Sequence, residues 1–199
     1  MPTKSALPPT QLTTLDPEQI PIQSQVLVLC GHSSQLHPLI LQSLFLRAAR
    51  EPIGVLIGDN RFDAYTLAQF ARRCEIDPSA LLKRIEFSRA FTCHQLHHGV
   101  MNLITPKIKS WRSLYVLGLV RLFDDEDIPY AEAVRLLDEI LTRLHAVAAE
   151  GLAVLVTVSP PKIAARGELV DRVLHSAHAY WQPSPLVVEE FAKRQTTLW

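Results

Sequence analysis

The chain has 199 residues, enough for one domain with a full hydrophobic core. Apolar residues make up 48% and charged residues 20%, with 20 Lys and Arg set against 20 Asp and Glu. This composition implies a soluble globular protein and excludes a long-range positive field that would draw in nucleic acid.

Residues 1–24 are rich in Pro, Thr and Gln and read as an N-terminal tail. Val26 to Cys30 is a continuous apolar run stopped by Gly31, the pattern of a strand buried on both faces of a parallel sheet. A helix is predicted from Pro38 to about Arg50, with its proline in the first turn. Ile53 to Ile57 reads as a second buried strand. Phe62 to Arg73 and Pro78 to Lys83 read as helices, the second opened by an Asp77 cap and an N1 proline. Ile85 to Arg89 is a short strand, His94 to about Lys109 a helix, and Leu114 to Leu117 another strand. Val134, Leu137, Leu141, Leu144 and Ala148 recur at helical spacing within 129–150, and Gly151 suits the C′ position of that helix. Leu152 to Val158 is a strand ended by Pro160-Pro161. Ala177 to Trp181 and Leu186 to Val188 form a possible antiparallel hairpin around Pro183-Ser184-Pro185.

Strands alternating with helices imply an α/β core over residues 25–190, with 191–199 as a C-terminal tail. The expected architecture is a mostly parallel central sheet, helices on both faces and a C-terminal β-hairpin. Cys30, Cys74 and Cys93 are too few and too scattered for a disulfide framework, which fits a reducing compartment. The opening MPTKSALPPTQ has no apolar run of the signal-peptide kind, and no segment is apolar for the length of a membrane span. A cytoplasmic location without membrane contact is the expectation.

The order of elements over residues 15–190 resembles the ATPase core of the RecA/RadA recombinase family. The resemblance is strongest in FDAYTLAQFARRCEIDPSALLKRIEFSRAFTCHQL (62–96), which carries helix, Asp-Pro loop, helix and a strand ending in Arg89-Ala90-Phe91. YAEAVRLLDEILTRLHAVAAEGLAVLVTV (130–158) is similar to the family's long helix and the core strand after it. The resemblance implies a P-loop-type fold and four chemical elements. The first is the phosphate-binding loop G-x-x-x-x-G-K-[ST], whose glycines let backbone amides cradle phosphates while Lys and the hydroxyl serve charge and Mg²⁺. Gly31 begins that spacing, but Leu36, His37 and Pro38 fill the next three positions. Leu36 adds a side chain where backbone must approach phosphate, His37 is mostly neutral near pH 7, and Pro38 has neither hydroxyl nor N–H. The second element, a metal-organising carboxylate, is replaced by Gly118. The third, a catalytic Glu, is absent from Gly58-Asp59-Asn60-Arg61, where Asp59 is the only carboxylate. The fourth, a polar sensor usually Gln, is Ser159. Phosphoryl transfer depends on positioning and charge neutralisation, so losing Lys and carboxylate together implies a degenerate ATPase site with no cofactor.

Other constellations compete. Gly31-His32-Ser33-Ser34-Gln35 resembles the G-x-S-x-G elbow of α/β-hydrolases. Ser33 would be the nucleophile, with an Asp near 124–127 and His175 or His178 as partners. Gln35 stands where that turn needs a small residue, and little chain precedes it. Cys93, His94, His97 and His98 are the densest group of metal-capable side chains, with no evident fourth ligand and a histidine-rich helix start as the plain alternative. Asp124 to Asp127 occupy the position of the family's first DNA-binding loop and would repel phosphate there. Lys162 and Arg166 stand at the shortened second loop and are the nucleic-acid candidates. Trp111, Trp181 and Trp199 form no stacking pattern, and the final Thr-Thr-Leu-Trp reads as a frayed end.

These readings imply a non-catalytic RecA-like protein that acts through a protein partner or self-association, as an accessory to recombination or repair, with weak or no direct nucleic-acid binding. A nucleotide- or anion-binding regulatory domain without hydrolysis is the alternative, and a Ser33 hydrolase a more distant one.

Overall fold

A computed structural model describes residues 8–183 except residues 60 and 108. Seven strands form one sheet: β1 (Thr10–Leu12), β2 (Val26–Cys30), β3 (Ile53–Ile57), β4 (Ile85–Arg89), β5 (Ser113–Leu117), β6 (Ala153–Val158) and β7 (Ala179–Trp181). Their order is β1-β7-β2-β6-β5-β3-β4, and every pairing is parallel. The continuous apolar runs read from the sequence are the inner strands β2, β3, β5 and β6, buried at every position. Side chains alternate between faces along each strand. Val26 and Val28 therefore point into one core, and Leu27 and Leu29 into the other.

The second core is covered by α1 (Ser33–Ala48), α2 (Ala64–Arg73) and α3 (Pro78–Leu82), and the first by α4 (Cys93–His98), α5 (Ile104–Lys107), α6 (Tyr130–Ala149) and α7 (Gly167–Ser176). Helices on both faces supply the two hydrophobic layers that an all-parallel sheet requires. Among the described residues no helix is long and apolar enough to cross a membrane.

Several expectations change. Of the segment read as a tail, the described residues 8–24 are built into the domain. Thr10–Leu12 pairs with β7, and Ile20 is buried. Ser43 Oγ donates to the Ile20 carbonyl at 2.8 Å, and the Arg47 guanidinium donates to the Ile20 and Pro21 carbonyls. Ser43 spends its only proton on Ile20, so the hydroxyl of fully buried Tyr115 is the donor in their 2.7 Å contact. Helix α1 begins at Ser33, not Pro38, and carries Pro38 inside it. The long helix predicted over 94–109 is divided by a π-helical segment, Gly99–Leu103. Helix α7 was not foreseen: no element was assigned between the strand ended by Pro160-Pro161 and Ala177. The hairpin arm Leu186 to Val188 lies outside the described residues. Its intended partner β7 already has both edges occupied, by β1 and β2.

At the amino-terminal edge of the sheet, His178 Nδ1 accepts the Val26 amide at 3.0 Å, and the His178 ring lies 4.7 Å from that of His145 on α6. Burial, and then the neighbouring His178, pull the His145 pKa below its ordinary 6.5. The native state thus prefers the neutral ring. The unfolded chain takes up a proton as pH falls through about 6.5, and the native state does so only at lower pH. This contribution to stability is complete above that value and is lost as pH falls towards the depressed pKa. The urea midpoint should therefore drop below pH 6.5, and His145→Gln should flatten that part of the profile. An unchanged profile in the variant would show that His145 does not carry the effect.

Candidate functional site

In a parallel α/β sheet, ligands sit beyond the carboxyl ends of strands whose following helices leave to opposite faces. Two such crevices exist here. The chain leaves β2 for α1 on one face, while its neighbour β6 leads to α7 on the other. The adjacent β3 and β5 diverge in the same way, towards α2 and α6. Both crevices lie where the sequence placed the phosphate loop and the metal carboxylate.

The first crevice has no loop. Only Gly31 and His32 separate β2 from α1, and the Gly31 amide is bonded to the Val158 carbonyl at 3.0 Å. The amides of Gln35 and Leu36 turn back to the His32 carbonyl, and Gln35 Oε1 accepts the His32 amide. The stretch that would wrap a phosphate is thus wound into helix. Leu36 is buried in the core, and His37 Nε2 meets the Arg61 carbonyl at 3.1 Å. Pro38 faces the groove. Pro183, after β7, rests over Gly31.

The second crevice is filled by its own backbone. Gly118 adopts φ +70°, and its amide donates to buried Thr157 Oγ1 at 2.8 Å. A Cβ at position 118 would lie 2.4 Å from that of Asp59. Glycine is required here twice over, for the left-handed backbone and for the approach of Asp59. Asp59 Oδ1 accepts the Arg61 amide. What remains between Ser33, Asp59, Thr157 and Ser159 is a cavity of about 20 Å³, room for one water. Outside it, an open groove of about 560 Å³ runs past Ser33, Ser34, His37, Arg61 and Asp63. Asp63 caps α2, and the Thr66 hydroxyl and amide, with a smaller contribution from His37, hold its carboxyl below the usual range.

The remaining candidates separate. His94 approaches Glu132, His97 Nε2 meets Glu139 Oε2 at 2.7 Å, and His98 meets Asn102. Cys93 is buried, which raises its thiol pKa. Among the described residues, no three His, Cys, Asp or Glu side chains converge on a metal position. The partners proposed for a Ser33 nucleophile are also elsewhere. His178 sits at the start of β2 while Ser33 follows its end, about 16 Å of strand away. His175 Nδ1 is engaged by the Asp171 carbonyl oxygen of its own helix.

The two loops assigned to DNA clasp each other. Asp124 accepts the amides of Lys162 and Ile163. Arg166 is only 7% exposed and donates to the carbonyls of Phe123 and Ile128 at 2.6 and 2.7 Å. As a nucleic-acid candidate Arg166 is therefore misplaced, since its guanidinium faces inward; Lys162 is exposed. Trp111 packs across Gly54 and Trp181 is buried in β7, while Trp199 lies outside the described residues.

Sequence reasoning missed one surface. Tyr65, Phe87 and Phe91 are 68%, 42% and 67% exposed, and the Phe87 ring lies against that of Phe62 with centroids 4.3 Å apart and planes tilted by 57°. Phe87 is the middle residue of β4, Phe91 follows that strand, and Tyr65 lies in the first turn of α2. The alternation in IEFSR marked a strand, but not that β4 would be the last strand of the sheet, with one edge unpaired among the described residues. No protein-family model matches the chain, and no curated protein matches it.

Proposed function

We propose that this chain is a RecA-like domain that has given up its nucleotide site and works through protein contacts, as an accessory to recombination or repair. The observation that carries the reading is the closed carboxyl edge of the sheet. A helix stands in place of the phosphate loop, and Asp59 is folded onto Gly118 where a metal carboxylate would stand. Positioned amides, a Lys and a metal-holding carboxylate do most of the work of phosphoryl transfer; here the amides of His32, Gln35 and Leu36 are already bonded, His37 stands at the Lys position, and Gly118 at that of the carboxylate. Exposed aromatics beside an open strand edge supply a surface suited to protein.

The test is calorimetric titration of the full chain with ATP and Mg²⁺, together with a phosphate-release assay. The expected result is no binding tighter than millimolar and no turnover above background. Micromolar Mg²⁺-dependent binding, or release abolished by Asp59→Ala, would overturn the reading. The open groove beside Ser33, His37 and Arg61 favours a second reading, binding of a small anion without hydrolysis. The same titration with inorganic phosphate decides it.

A further inference from the structure

Among the described residues strand β4 is the longer unpaired edge of the sheet; the other edge, β1, has three residues. In a strand, the amide and carbonyl of one residue point to the same side, and successive residues alternate. The Ile53 amide bonds to the Arg84 carbonyl, and the Ala90 amide to the Ile57 carbonyl. Even-numbered residues of β4 therefore face β3. Ile85, Phe87 and Arg89 turn both backbone groups outward, away from β3. The usual protections of an edge are charged side chains, proline, a bulge or a covering segment; among the described residues β4 has charges at Glu86 and Arg89 but none at its centre. Phe87 stands at the centre instead, and Glu86 is drawn towards Lys107 at 3.1 Å on the opposite face.

We propose that this edge pairs antiparallel with β4 of a second copy of the chain, about a twofold axis through Phe87. The register follows from the alternation. Outward-facing residues must oppose outward-facing residues, so Ile85 meets the partner's Arg89 and Phe87 meets the partner's Phe87. Each pair exchanges both amide–carbonyl bonds. Between them Glu86 meets the partner's Ser88, so no like charges are opposed. The two Phe87 rings fall on one face beside both Phe62 rings, the aromatic cross-strand pairing that favours sheets. Sliding the ladder one way sets Glu86 against the partner's Glu86, and sliding it the other way leaves Ile85 beyond the ladder. The backbone and charge pattern thus selects one self-complementary arrangement, and the sheet runs continuously through both copies. Paired surfaces of this kind are isologous and close on themselves. A ladder this short makes a small interface, so exchange with monomer is expected in the micromolar range.

This inference deepens the protein-contact reading by naming the partner. Sedimentation of the full chain from low to several hundred micromolar should show a reversible monomer–dimer equilibrium. Phe87→Lys sets like charges opposite one another and should weaken association by roughly tenfold or more. Arg89→Pro removes only an outward amide, leaves the ladder to β3 intact, and should do the same. Circular dichroism and urea midpoints confirm that both variants fold. The double variant Glu86→Cys with Ser88→Cys, in a Cys74→Ser background, should form a disulfide-linked dimer on mild oxidation. A monomer at every concentration, a dimer indifferent to Phe87→Lys and Arg89→Pro, or a dimer without the cross-link overturns the proposal. None of these results depends on nucleotide, so they leave the titration with ATP to judge the domain's function separately.

Discussion

Introducing a carboxylate at position 118 is expected to destabilise the domain without creating a metal site. Gly118 occupies the left-handed region at φ +70°, which costs a residue with a Cβ about 1–2 kcal/mol. The new Cβ would also fall 2.4 Å from that of Asp59, and overpacking of this kind typically costs about 1–3 kcal/mol. Gly118→Asp should thus lose about 2–5 kcal/mol, a large share of the ~5–15 kcal/mol that holds a domain folded. Gly118→Ala meets the same backbone and the same clash without the charge, so it should lose most of that amount. Asp59→Ala leaves its Cβ in place and should recover little, whereas Asp59→Gly should recover the packing component. Urea unfolding of the single and double variants measures all of these. If Gly118→Asp unfolds at the wild-type midpoint, the crevice is not closed as described.

Arg166→Ala is the second large effect. As a DNA contact, Arg166 would be dispensable for folding, and its loss would appear only in binding. Its guanidinium instead satisfies the carbonyls of Phe123 and Ile128 from a buried position. Hydrogen bonds from a charged donor contribute about 1.5–3 kcal/mol each, and truncation also strands two carbonyl acceptors. A net loss of about 2–4 kcal/mol is expected. Arg166→Lys should fall between, because an ammonium lacks the planar fork that reaches two carbonyls at once. Lys162→Ala, at an exposed position whose backbone alone is held by Asp124, should change stability little. Denaturant midpoints for the three variants separate the two roles of this loop. A neutral Arg166→Ala would return the residue to the list of surface contacts.

The sequence by itself determined the sheet and most of its cover. Apolar runs of strand length, such as 26–30 and 153–158, have no polar face, so they must be buried on both sides. The helical spacing from Val134 to Ala148 and the Asp77-Pro78 start are local signals and survive intact in α6 and α3. That His37 and Gly118 stand at the positions compared with a phosphate-loop Lys and a metal carboxylate was legible as residue identity. Tertiary structure decided the rest. That Ser33 to His37 are helix, capped by His32 and Gln35 immediately after β2, emerged only in the structure. Arg166 was read as a contact because a sequence shows charge but not burial; the carbonyls that hold it lie about forty positions earlier. Thr10–Leu12 became a strand only because β7 had an unpaired edge to offer. The exposed aromatic edge likewise arises from strand order. The motif IEFSR would be half-buried on both sides in a central strand, and only its place at the end of the sheet leaves Phe87 and its outward-facing amide open to a partner.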